Sequence, residues 1–286
     1  MTANLEAVFR PRSIALVGAS RARESMSGTL LHNLRTSFRG PVYAVNPRAR
    51  MLDGQPAYAT VFDIPETPDL AFIAVPLDQA VDVARQCARV GVRAIVVITA
   101  GFAETGAVGA MWEQQLLQVA RDAHIPLVGP NCLGVLNTDR NCPLNGAFSS
   151  AQPPIGTVAI GTQSGAMGFV FPDYIQCRQI GISQLLSIGN KQLVGENDLL
   201  AHWQNDPATH IILLYLESFQ DPREYRRLAR QVASTKPIVA LKAGNTRAGR
   251  RAAASHTAAL AGPEAAAQAL FRQTGTIHCD SLQQLF

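Results

Sequence analysis

The sequence has little of what would place it outside the ordinary globular class. Its five cysteines, Cys87, Cys132, Cys142, Cys177 and Cys279, are odd in number and form no C-x-x-C pair. Neither a disulfide framework nor a zinc site is indicated, and a reduced cytoplasmic setting fits. No run approaches the ~18 consecutive apolar residues that span a bilayer, so no membrane partner is expected. Residues 1–12 carry no apolar stretch beside a cleavage site, so no secretory leader is expected. Charge is scarce as well: 16% of residues are charged and the formal net charge is +4. The densest basic run, Arg247, Arg250 and Arg251, is a short tract and not a clustered face, which argues against nucleic acid.

What is present is a core-forming chain. Of 286 residues, 47% are hydrophobic, enough for about two domains at roughly 150 residues each. Short apolar, β-branched runs recur at Ser13–Val17, Val42–Val45, Leu70–Val75, Ala94–Ile98 and Pro126–Val128. Helical patterns lie between them, at about Ser27–Leu34, Asp78–Val90 and Gly109–Ala123. Continuous apolar strands alternating with amphipathic helices predict a parallel sheet covered on both faces, a doubly wound α/β domain. A second series follows, with strands at Thr157–Gly161, Gln184–Ile188, His210–Leu216 and Pro237–Leu241, and a short one near Thr276. Its helices are predicted at about Gly165–Cys177, Glu196–Gln204, Pro222–Ala233 and Pro263–Gln273. The segment Asn141–Pro154, with three prolines, marks the boundary, giving domains 1–140 and 141–286. One stretch breaks the rhythm. Between Leu241 and Leu260 the residues are mostly small and the connection is long, a pattern associated with functional loops.

Two strand ends suggest anion sites. Val17-Gly18-Ala19-Ser20 closes the first strand, and a small-residue turn there lets backbone approach a phosphate. The full G-x-G-x-x-G fingerprint is absent, and a plain tight turn would use the same residues. At the second strand tip, Asn46-Pro47-Arg48 stands where nicotinamide sites carry a carboxylate for the ribose. Arg48 can meet a phosphate instead, which favours a 3′-phosphorylated nucleotide such as coenzyme A over NAD. The third and fourth strands end in Val75-Pro76 and Thr99-Ala100-Gly101, on the edge where doubly wound sheets bind ligands. In the second half, Gln163-Ser164-Gly165 repeats the layout, a strand end followed by a helix start. Serine capping and anion binding are both consistent with it.

His256, in Ser255-His256-Thr257, lies in the long small-residue stretch on the carboxyl side of the fourth strand. Small neighbours leave its ring free to protrude. Glu217 ends the preceding strand; its carboxylate can hold one ring nitrogen and leave the other nucleophilic. The helix start at Ser164-Gly165 can receive the negative charge that arrives with a phosphoryl group. Of the remaining five histidines, His32 and His202 sit in helical patterns, His124 is next to a strand, His210 is at a strand start and His278 is near the C-terminus, none with small-residue surroundings. Cys132 lies in Gly129-Pro130-Asn131-Cys132-Leu133-Gly134, expected to pack at the domain junction.

Taken in order, these segments resemble the NDP-forming acyl-CoA synthetases, relatives of succinyl-CoA synthetase. The resemblance runs from Leu5 to Phe286. It is carried by Ser13–Ser20, Val45-Asn46-Pro47, Ile73–Pro76, Thr99–Phe102, Gly129–Gly134, Gln163–Ala166, Ser187-Ile188-Gly189-Asn190-Lys191, Glu217, Ser255-His256-Thr257 and Leu260-Ala261-Gly262. It implies a Rossmann-like CoA-binding domain followed by a flavodoxin-like, succinyl-CoA synthetase-like domain, both with mainly parallel sheets. It implies an acid–CoA ligase that interconverts acyl-CoA, phosphate and ADP with acid, CoA and ATP through an acyl phosphate and a phosphohistidine at His256, supported by Glu217. Coenzyme A and a small carboxylic acid are the implied substrates. ATP/ADP and Mg2+ belong to an ATP-grasp module, expected as a beta subunit or as C-terminal domains of the same polypeptide, in an oligomer. Three segments depart from the family pattern. Thr162 stands where serine is common, Gln192–Gly195 intervene before Glu196 where acidic residues commonly follow Gly-Asn-Lys closely, and Ala258-Ala259 replace Gly-Ser. Two rivals are a CoA-sensing region fused to a lysine acetyltransferase and an NAD-dependent dehydrogenase.

Overall fold

The computed structural model describes residues 2–149, 152–165, 167–243 and 264–286. The first sheet is built around apolar tetrapeptides: Ile14–Val17 (β1), Val42–Val45 (β2), Leu70–Ile73 (β5) and Ala94–Val97 (β6). Every residue of β1, β5 and β6 is buried, as a sheet covered on both faces requires. Met51–Leu52 (β3), Gln55–Tyr58 (β4) and Leu127–Val128 (β7) complete the order β3-β4-β2-β1-β5-β6-β7. Only the β3–β4 pair is antiparallel. Val17 stands opposite both Val45 and Ile73, and Ile73 opposite Val97, so four carboxyl ends finish level. The covering helices are Met26–Ser37 (α2), Leu77–Val90 (α3) and Ala107–Asp122 (α4), after a single N-terminal turn, Glu6–Phe9 (α1). Helix α3 shows why: Ala80, Val81, Ala84 and Cys87, at helical spacing, are its buried stripe.

The second sheet comprises Gly134–Asn137 (β8), Leu144–Ala147 (β9), Ile155–Thr162 (β10), Ile182–Ser187 (β11), Ile211–Leu216 (β12), Ile238–Lys242 (β13) and Ile277–Cys279 (β14). Its order is β14-β13-β12-β10-β11-β8-β9. The five strands from β14 to β11 are parallel, and the β8–β9 hairpin adds antiparallel to β11. Helices Met167–Cys177 (α5), Glu196–Asn205 (α6), Pro222–Ala233 (α7), Glu264–Thr274 and Leu282–Leu285 complete this half. The expected class, two mainly parallel α/β sheets in series, is what forms. The division expected between residues 140 and 141 falls in the turn of the β8–β9 hairpin. By pairing, both hairpin strands go with the second sheet, because β8 hydrogen-bonds to β11. No helix among the described residues is long and apolar enough to cross a membrane.

The two halves share one core. Helix α1 is the wedge: Phe9 is fully buried, its ring 4.7 Å from that of His202 and 6.3 Å from Trp203 on α6. Phe9 O accepts from Asn137 Nδ2 of the hairpin at 2.9 Å. Asn33 of α2 donates to Ala147 O and Ser149 O, both at 2.8 Å. A continuous apolar cluster runs from Leu16, Phe72 and Val96 through Phe9 to Trp203 and Leu214. Burying each such side chain stabilises by about 1.5–3 kcal/mol. The relative placement of the two sheets is therefore fixed by core packing.

Candidate functional site

The first sheet gathers its expected residues along one edge. Gly18 continues β1 at φ +93°, and a Cβ there would lie 2.3 Å from Ala74 O. Only glycine permits the strands to close this tightly. The N–H groups of Gly18 and Ala19 both donate to Val45 O, at 3.0 and 3.2 Å. Those two N–H groups are therefore spent within the sheet, and Ser20 Oγ accepts the Ala22 N–H at 3.1 Å. Asn46 Nδ2 donates to Ala19 O at 2.7 Å, and its Oδ1 accepts the Arg48 N–H at 2.7 Å. Pro47 and Arg48 are exposed beside it. Thr99 Oγ1 donates to Val75 O at 2.7 Å, tying the third strand end, with Pro76, to the fourth. Ala100 leads to Gly101, which has φ +102° and donates its N–H to Glu104 Oε1 at 2.7 Å.

The second sheet presents its carboxyl edge with Gln163, Ser164 and Gly165 after β10, and Glu217 after β12. Ser164 Oγ accepts the Met167 N–H at 3.4 Å, the capping role its type suggests. Gln163 is buried, and its Oε1 accepts from Glu217 N at 2.9 Å and Ser218 N at 3.1 Å. Its Nε2 donates to Ser218 Oγ at 3.1 Å. Glu217 is half-buried. The next strand departs beside it, since Ala243 N donates to Leu216 O at 2.7 Å. From there the chain enters residues 244–263. His256, with Ser255 and Thr257, lies outside the described residues. Of the other histidines, His202 stacks on Phe9 in the core and His278 stacks on Phe271.

The two edges meet at the loop read from the sequence as junction packing. Asn131 N donates to Thr99 O at 3.0 Å, and Cys132 Sγ lies 3.2 Å from Val97 O. Pro130 O accepts the Asn190 N–H at 2.9 Å. Gly189 has φ +54°, and a Cβ there would lie 2.1 Å from Pro130 O. Burial pushes the Cys132 thiol up to about 12, so it is no nucleophile.

Sequence reasoning missed Glu113, and it noted Asn190 only as part of a motif, without its contacts. Asn190 Nδ2 donates to Glu104 Oε2 and Glu113 Oε2, both at 2.7 Å, clasping one half to the other. Glu113 is 2% exposed; burial raises its pKa, and the Asn190 hydrogen bond opposes that rise. Its signal was available, because Glu113 stands at helical spacing among Gly109, Leu116, Leu117 and Ala120 on the buried face of α4. Lys191 was noted only as part of a motif. Its side chain is 4% exposed and its Nζ lies 3.0 Å from Glu196 Oε2. Burial lowers the Lys191 pKa, and Glu196 opposes this. Ala103, Gln163, Lys191, Ser218, Phe219 and Gln220 are among the lining of a 270 Å³ cleft at this junction.

Comparison with known proteins matches two family descriptions in series. Residues 12–138 match a CoA binding domain, and residues 155–286 match a succinyl-CoA ligase like flavodoxin domain. The ADP-forming acetate–CoA ligase I of Archaeoglobus fulgidus is 41% identical over 282 residues, covering 99% of this chain and 41% of the relative. The alpha subunit of ADP-forming acetate–CoA ligase I from Pyrococcus furiosus is 34% identical, covering 99% of this chain and 62% of that subunit. Among solved structures, acetyl-coenzyme A synthetase 1 of Ca. Korarchaeum cryptofilum, in complex with phosphate and ADP, superposes with a TM-score of 0.93. It is 38% identical and covers 99% of this chain and 61% of its own. The chain thus spans between two fifths and two thirds of the length of these relatives.

Proposed function

Because the chain belongs to the NDP-forming acyl-CoA synthetases of the succinyl-CoA synthetase superfamily, we propose that it is the CoA-binding and phosphohistidine portion of an acid–CoA ligase. In the ATP-yielding direction, a phosphate oxygen attacks the thioester carbon of acyl-CoA. The C–S bond breaks, and CoA leaves as a thiolate that takes up a proton. One ring nitrogen of His256 then attacks the phosphorus of the acyl phosphate; the P–O bond breaks and the free carboxylate leaves. The Glu217 carboxylate holds the N–H of the other ring nitrogen and stabilises the cationic ring. The helix start at Gln163-Ser164-Gly165 receives the phosphoryl charge. On the first edge, Gly18–Ser20, Asn46–Arg48, Val75–Pro76 and Thr99–Gly101 take CoA, with Arg48 toward a phosphate.

The rest of the cycle uses groups outside the CoA-binding and phosphohistidine portion. ADP and Mg2+ belong to an ATP-grasp module, either a beta subunit or C-terminal domains of the same polypeptide, to which His256 delivers its phosphoryl group. The acid is a small carboxylic acid. The enzyme works in the cytoplasm as an oligomer, a setting compatible with five free thiols.

One observation carries the reading. Gln163 anchors the main chain at Glu217, and the strand beside Glu217 runs directly into the segment that holds His256. The test is labelling. The protein joined to its ATP-grasp module and given γ-labelled ATP should form an acid-labile, base-stable phosphoenzyme. His256→Ala should abolish the label, and Glu217→Gln should slow it about 10- to 100-fold. Equal labelling of His256→Ala would overturn the proposal. For the first half, calorimetric titration should show binding of CoA and none of NADH.

A further inference from the structure

We infer that Lys191 and Glu196 are positioning residues for the turn that carries Glu217, an inference that rests on the phosphohistidine chemistry proposed above. Residues 217–220 leave β12 as irregular chain, yet their main-chain groups are held at four points by three side chains. Gln163 Oε1 accepts from Glu217 N and Ser218 N, at 2.9 and 3.1 Å. Lys191 Nζ donates to Ser218 O at 2.5 Å. Glu196 Oε1 accepts the Gln220 N–H at 2.7 Å. The holders are also linked to each other: Lys191 Nζ lies 3.0 Å from Glu196 Oε2 and 3.3 Å from Gln163 Oε1. Asn197 adds a fifth tie, from its Nδ2 to Asp221 O at 3.2 Å.

This is costly construction. Side-chain exposure is 4% for Lys191 and zero for Glu196. Lysine and glutamate are almost never buried this far unless paired. A buried pair is often no more stabilising than apolar residues of the same volume, because both ions lose their hydration. The pair therefore calls for a reason other than stability, and the hydrogen bonds supply one. An apolar pair could fill the space but could not hold Ser218 O and Gln220 N. The backbone makes room for it as well: Lys191 stands at φ +56° after Gly189 at φ +54°, a left-handed turn that points the lysine back under the strand ends. The negative charge of Glu217 also favours the charged form of Lys191, against the effect of burial. A supporting carboxylate works only if held to within about 0.5 Å, which is the task of the groups behind it.

The experiment uses the protein with its ATP-grasp module. It follows the rate of phosphoenzyme formation from γ-labelled ATP, the KM for CoA and the melting temperature. Lys191→Met should slow labelling about 10- to 100-fold with the KM for CoA unchanged, and Lys191→Arg should recover part of the rate by keeping the charge and a donor. Glu196→Gln, nearly isosteric, should slow labelling less and serves as the variant of record should Lys191→Met fail to fold. Wild-type rates in folded Lys191→Met or Glu196→Gln would overturn the inference and leave the phosphohistidine reading intact. A parallel loss of labelling, CoA affinity and melting temperature, without recovery in Lys191→Arg, would also overturn it, because the pair would then serve the fold alone. A wild-type protein that takes no label removes the functional reading and this one with it.

Discussion

Gln163 Oε1 accepts the main-chain N–H of Glu217 at 2.9 Å across 54 residues of sequence, so a buried amide at the end of one strand sets the position of a carboxylate at the end of another. The same oxygen takes Ser218 N at 3.1 Å and Lys191 Nζ at 3.3 Å. A carbonyl oxygen with three donors is a hub, and its loss is not a single-bond event.

Gln163→Leu should therefore lower unfolding free energy by about 2 kcal/mol, the scale of leaving buried donors without an acceptor. Gln163→Glu retains the accepting oxygen and faces the Lys191 ammonium, and should cost less. Urea unfolding of the three proteins checks the order. If leucine and glutamate cost the same, the acceptor is not what matters at this position.

Gly189→Ala should separate the two sheet edges. The residue has φ +54°, and an added Cβ would sit 2.1 Å from Pro130 O, a main-chain atom that cannot swing away. Gly54 provides the control, with φ +74° and nothing within 4 Å of its would-be Cβ. Gly54→Ala should cost about 1 kcal/mol from the left-handed backbone alone. Gly189→Ala should cost at least twice that by the same urea assay. Equal costs would mean that the junction yields freely.

The sequence made the repeating parts legible. Val42–Val45 and Pro222–Ala233 form with the bounds their patterns predicted, since an apolar run and an amphipathic stripe each carry their own signal. The β8–β9 hairpin was missed. Its strands are four residues each and buried throughout, so they show no alternation, and the asparagines and prolines around them read as a linker. Met51–Leu52 is too short to carry any period. At the site, the strand-end residues were found because parallel strands deliver their ends to one edge by topology. The Asn190 clasp was not, because Glu113 and Asn190 are 77 residues apart and only the packing of the two sheets brings them together. Lys191 and Glu196 were passed over for a related reason. In sequence one is a charge in a turn and the other a charge at a helix start, and nothing there says that both will be buried.

Stability should fall on mild acidification through His202. Burial lowers its pKa from the usual 6.5 to about 4, and its ring stacks on Phe9 at 4.7 Å. Among the described residues its Nε2 has no hydrogen-bond partner, so the ring is held by packing in its neutral form. Nearby Asp206 favours the charged form, while Arg10 and Lys236 oppose it. Between pH 6.5 and 4 the unfolded chain binds a proton at this histidine and the folded chain does not, so stability rises with pH there and is lost as pH falls. The full effect is about 3 kcal/mol at the low end of the window. Other groups titrate in the same range, Glu113 with its raised pKa among them, in the opposite sense. The comparison of wild type with His202→Phe isolates the histidine, because phenylalanine keeps the stacking and cannot protonate. Urea unfolding between pH 7 and 4.5 should show wild type losing stability relative to His202→Phe as pH drops. Parallel curves would mean that water reaches the ring and protonates it without opening the core.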